Sequence, residues 1–64
     1  MKMIKVINHN GEEVYVNIER IASIMKYEYL NGHTQIDLTH NLCIVAKGTP
    51  EQIVAMIHEA EGNK

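Results

Sequence analysis

His33, Asp37 and His40 come closest to a reactive grouping in this chain, because a carboxylate between two imidazoles can bind a metal or pass a proton. Their spacing argues against both uses. On an extended strand, residues 33 and 37 share a face but stand about 13 Å apart at 3.3 Å per residue, and His40 follows at a turn. His9 falls in another turn and His58 on the flank of a helix, so all four histidines read as surface residues. No His-x-x-x-His pair and no cysteine spacing suits zinc. Ser23 has neither a nearby His nor the glycines of a nucleophile elbow. Glycines occur singly, at turns, so no loop can cradle a phosphate. The four methionines are dispersed gap-fillers. The expectation is no catalytic residue, no metal and no cofactor: the chain does not read as an enzyme.

Cys43 is the only cysteine, which rules out an intrachain disulfide. It lies in the apolar run Leu42-Cys43-Ile44-Val45, where a free thiol is expected to act as a small buried hydrophobe. A lone cysteine also suits a reducing, cytoplasmic setting.

Tyr15, Tyr27 and Tyr29 are the candidate binding residues. They fall at alternating positions of expected strands and could gather on one face of a sheet. Such rings either pack in a core with hydroxyls at its rim, or form an interface anchor or a stacking wall for a small planar ligand.

The elements that must position these residues follow from two Asn-Gly dipeptides, Asn10-Gly11 and Asn31-Gly32, each set between runs rich in Val, Ile and Tyr. Asn and Gly accept positive φ cheaply, so each dipeptide predicts a β-hairpin. The first joins strands at about 2–8 and 12–18. A two-residue loop would pair Ile7 with Val14 and Lys5 with Val16, placing a lysine among aliphatics. A three-residue loop, His9-Asn10-Gly11 with Gly11 left-handed, pairs Val6 with Val14 and Ile4 with Val16. That register gathers Ile4, Val6, Val14, Val16 and Ile18 on one face and is preferred.

Asn17–Arg20 reads as a turn closed by an Asx-type bend. Strand three is expected at about 21–29 and strand four at about 34–39. A two-residue loop at Asn31-Gly32 would set Met25, Tyr27 and Tyr29 against Leu38, Ile36 and Thr34. A three-residue loop would set Ile24 against Leu38 and Lys26 against Ile36. The first, with the cleaner apolar face, is preferred. His40-Asn41 makes a further turn before strand five, at about 42–47.

Thr49-Pro50-Glu51-Gln52 then predicts a helix: Thr49 as N-cap, Pro50 at the first position, Gln52 completing a capping box. Ile53, Met56, Ile57 and Ala60 form its apolar stripe, with Ile57 expected at the centre, and Gly62 is a stop signal. The expected fold is therefore α+β: a five-stranded antiparallel β-meander, two hairpins plus one strand, with one C-terminal helix packed on one face.

Residues 1–64 make a single small domain. A chain this short buries only about 60% of the surface it exposes when unfolded, and such domains need staples or self-association. One helix covers one sheet face, yet Met3, Ile7, Tyr15 and either Cys43 and Val45 or their neighbours put apolar groups on the other. The sequence therefore predicts a homo-oligomer, most simply a dimer. Scattered Lys and Arg with a formal net charge of −2 give no footprint for nucleic acid. No apolar run approaches the roughly 20 residues that span a bilayer, so no membrane insertion is expected. No apolar segment of a signal peptide follows Lys2 and Lys5.

Several signposts recur in order: Met3-Ile4-Lys5-Val6, Asn10-Gly11-Glu12, Tyr15-Val16-Asn17, Ile21 and Ile24. Thr34-Gln35-Ile36-Asp37-Leu38-Thr39, Ile44-Val45 and Pro50-Glu51-Gln52-Ile53-Val54 complete them. Over essentially the whole chain this order resembles the FlbD family of small flagellar proteins, also called SwrD in swarming bacteria. The resemblance implies no catalytic residue and no cofactor, but a cytoplasmic accessory protein that affects flagellar output through protein–protein contacts. A second reading from the residues is a homo-oligomeric binder of a nucleotide or other small ligand, of phage or mobile-element origin, with a tyrosine-lined pocket between subunits.

Overall fold

The computed structural model describes residues 2–62. Its elements run β1 (Met3–Ile7), β2 (Glu13–Asn17), a 3-10 turn (Ile18–Arg20), β3 (Ile21–Lys26), β4 (His33–Leu38), a second 3-10 turn (Thr39–Asn41), β5 (Leu42–Lys47) and α1 (Pro50–Gly62). All strand pairings are antiparallel. The fold is α+β as expected, with the strands divided between a β1–β2 hairpin and a three-stranded β3–β4–β5 sheet. A bridge between Asn8 and Ala46 joins the two, where the His9 N–H donates to the Val45 carbonyl at 3.0 Å.

The first hairpin takes the bulged register: Ile4 opposes Val16 and Val6 opposes Val14. Gly11 has φ +84°, the left-handed conformation that glycine adopts without strain. Asn8 organises the loop. Its Oδ1 accepts from the N–H groups of Asn10 and Glu12 at 3.0 and 2.9 Å, while its Nδ2 donates to Glu12 Oε1 at 3.0 Å. After β2, Asn17 Oδ1 accepts from the Glu19 N–H at 3.0 Å, the bend its position predicts.

The second hairpin departs from both expected registers. Ile24 opposes Ile36 and Lys26 opposes Thr34, so β3 ends at Lys26, short of Tyr27 and Tyr29. The turn sets this register: the Tyr27 N–H donates to the His33 carbonyl, leaving residues 28–32 as a wide loop, and a separate bulge lies at the far end of β3 between Ile21 and Ser23. The extra residue, Ala22, shifts the alternation so that Ile21 and Ile24 both pack on the core. Met25 then falls on the outer face, opposite Gln35.

The same registers correct the expectation for Cys43. It opposes Asp37 and is exposed, because on β5 it is Ile44 and Ala46 that join the core. Met3 and Tyr15 are exposed and Ile7 and Val45 half-buried on the outer faces of their sheets.

Gly48, at φ +113°, turns the chain into α1. The capping box forms as its spacing predicts: the Thr49 N–H donates to Gln52 Oε1 at 2.9 Å and the Gln52 N–H to Thr49 Oγ1 at 3.2 Å. The helix includes Gly62 rather than stopping before it. α1 lies against β1, β3 and β4. Ile53 is its fully buried residue, among Ile4, Val6, Val16, Ile18, Ile36 and Ala46, whereas Met56, Ile57 and Ala60 pack at the margin. The centre of the stripe is thus one turn earlier than expected, at Ile53. Burying such a side chain stabilises the fold by about 1.5–3 kcal/mol.

Candidate functional site

Among the described residues, the turn between β3 and β4 carries the most exposed large apolar side chain, Tyr29. Its base is tied down on both sides. The Tyr27 N–H donates to the His33 carbonyl at 3.1 Å, and the Gly48 N–H to the Gly32 carbonyl at 2.7 Å. Thr34, fully buried at the start of β4, donates its hydroxyl to the Gly48 carbonyl at 2.8 Å. The His33 ring nitrogen Nδ1 meets the Asn31 carbonyl at 2.8 Å, and Gly32 takes φ +73°. The chain entering the helix and the end of the turn are therefore one braced unit.

Above that base the side chains are open. Tyr27 is half-buried and carries Tyr29 edge-on, with ring centroids 5.6 Å apart and planes inclined at 65°. This T-shaped contact is favourable for aromatic quadrupoles. Tyr29 is 87% exposed and Leu30 beside it 42%. A shallow groove runs from the foot of the turn to the helix start, lined by Lys26, Gly32, His33, Thr49, Pro50 and Glu51.

Tyr27 and Tyr29 are thus brought together, on a turn rather than on a strand. Tyr15 is not part of this pair: it projects from β2, opposite Lys5, on the other sheet, and is 64% exposed. Leu30 is a member of the tip that the residue types did not single out. The signal that could have found it is the run Tyr27-Glu28-Tyr29-Leu30, which sets three large side chains with apolar surface immediately before Asn31-Gly32.

The polar outer face of the three-stranded sheet offers little chemistry. The Asp37 carboxylate accepts from Ser23 Oγ at 3.0 Å and from Gln35 Nε2 at 2.8 Å. No imidazole enters this network among the described residues, so the serine hydroxyl has a carboxylate acceptor but no histidine base. His40 sits in the second 3-10 turn with φ +68°, and His9 and His58 are exposed. Among the described residues, no three His, Cys, Asp or Glu side chains converge as metal ligands would. No helix among them is long and apolar enough to cross a membrane.

Two aromatic rings and a leucine stand on a braced turn, in the way that contact residues stand on a rigid scaffold. No protein-family model, curated protein or solved structure matches this chain.

Proposed function

We propose that this chain is a small non-catalytic interaction protein of the cytoplasm, acting as a homodimer, whose protein partner docks on the tip formed by Tyr27, Tyr29 and Leu30. The observation that supports this reading is the exposure of Tyr29 on a turn whose base is braced by Thr34, Gly48 and Gly32. A large side chain held out on a rigid base loses little further freedom on binding, which favours it as an anchor. The resemblance to the FlbD family supplies the setting: a flagellar accessory whose contact alters motility.

Photocrosslinking in the native host tests the docking. p-Benzoylphenylalanine at position 29 should yield one discrete adduct that Leu30→Ala abolishes, whereas the same probe at position 12 should not. Equal labelling from both positions rejects the tip as the contact. In parallel, deletion of the gene should change swarming, restored by the unaltered chain but not by Tyr29→Ala. Unchanged swarming rejects the flagellar role. Sedimentation equilibrium at micromolar concentration tests the dimer, and a clean 7.3 kDa species rejects it.

A further inference from the structure

Among the described residues, the beginning of β1 presents an edge that pairs with no neighbouring strand. Backbone hydrogen bonding fixes which residues face it. The Asn8 N–H donates to the Glu12 carbonyl and the Ile18 N–H to the Lys2 carbonyl, so even-numbered residues of this strand turn their peptide groups towards β2. Met3, Lys5 and Ile7 therefore direct theirs to the opposite edge. There β5 reaches only as far as the Asn8–Ala46 bridge. Among the described residues, no backbone partner meets Met3 or Lys5 on that side. The edge opens onto a groove walled by Met3, Ile4 and Lys5 on one side and by Met56 and Ala60 of α1 on the other.

We propose that this edge is the dimer interface: β1 of a second copy pairs antiparallel with β1 about a twofold axis, joining the two hairpins into one continuous sheet. The inference rests on the self-association in the proposed function and assigns its surface. Symmetry, the place taken by β5 and charge together favour a second copy and fix its register. An antiparallel pairing of a strand with itself is self-complementary, as a twofold interface requires. β5 already occupies the place beside Asn8, so only the beginning of β1 is available, which a twofold copy of that same segment matches in length. Of the pairings that use outward peptide groups, centring on Lys5 would oppose two lysines. Centring on Ile4 instead sets Met3 of one copy against Lys5 of the partner subunit, with N–H···O bonds exchanged both ways. The fully buried core is also small, so adding backbone pairing and covering Met3, 46% exposed, stabilises both copies.

Lys5→Pro tests the edge. The Lys5 N–H takes no part in the β1–β2 ladder, and proline is tolerated on an edge. Its ion pair with Glu13, 3.6 Å long and half exposed, contributes little. The variant should retain its circular dichroism spectrum while its dimer dissociation constant rises about a hundredfold. In the unaltered chain, exchange of the Met3 and Lys5 amides measured by NMR should slow about tenfold or more between dilute and concentrated protein. A dimer whose Met3 and Lys5 amides stay unprotected overturns the edge while leaving self-association standing. A monomer at every concentration overturns both. Should Lys5→Pro unfold, amide exchange in the unaltered chain decides alone.

Discussion

Thr49 and Gln52 hold each other across the first turn of α1, each accepting the other's backbone N–H, at 2.9 and 3.2 Å. Two of the N–H groups that a helix start leaves without intrahelical partners are satisfied by this exchange. Thr49→Ala removes one acceptor and should cost about 1 kcal/mol in a denaturant titration. An unchanged midpoint would show that the box does not stabilise the fold.

Gly48→Ala, one residue earlier, should be more damaging. A Cβ there would stand 3.0 Å from Gln52 Oε1, and φ +113° lies where side-chain-bearing residues are strained. The substitution therefore disturbs the box and strains the backbone together, at a cost of about 1–3 kcal/mol. A thermal melt equal to that of the unaltered chain would contradict this.

Ile53→Ala should cost about 2–5 kcal/mol, because this side chain is fully buried at the centre of the core. Ile57→Ala should cost clearly less, since Ile57 packs only at the margin. Equal losses in parallel urea titrations would show that the helix is rotated about its axis relative to the described packing.

Thr34→Val keeps the shape of the buried side chain but removes the donor to the Gly48 carbonyl. Leaving that acceptor without its partner should cost about 1–3 kcal/mol. The Tyr29 ring resonances should also shift in an NMR spectrum as the brace under the turn loosens. Identical stability and an unmoved Tyr29 would separate the brace from the tip.

Tyr29→Ala, by contrast, should shift stability by no more than about 0.5 kcal/mol, since the side chain lies almost wholly in solvent. Loss of the crosslinked adduct without loss of structure is the expected pair of results. A large fall in the melting temperature would mean that the ring is structural.

Features governed by neighbours in sequence were readable from residue types. The register of the first hairpin follows from Ile4, Val6, Val14 and Val16, because any slip would place Lys5 among aliphatics. The helix cap follows from Thr49, Pro50 and Gln52 alone. The bulge at Ala22 was not legible, because nothing in Ile21-Ala22-Ser23 marks the place where strand parity changes. The register of the second hairpin escaped for a separate reason: Asn31-Gly32 suggests a tight loop, whereas the ladder ends at Lys26–Thr34 and the Tyr27 N–H donates to the His33 carbonyl, leaving a wider turn. That single shift also moved Tyr27 and Tyr29 off the strand. Cys43 was misplaced for another reason: an apolar run such as Leu42-Cys43-Ile44-Val45 does not say which parity faces inward, and only pairing with Asp37 decides it.

The first described residue reaches the last turn of the helix: Lys2 Nζ donates to the Glu61 carbonyl at 3.1 Å. With these positions so close, the order in which the elements are translated is separable from how they pack. A circular permutant that links the end of α1 to β1 through a short glycine-serine segment, and opens at the exposed Asn10–Gly11 bond, should recover the same structure with β1 as its final strand. Only the bulged loop around Asn8 would be forfeited. A cooperative melt would mark the hairpin turn as a connector rather than a nucleus of the fold.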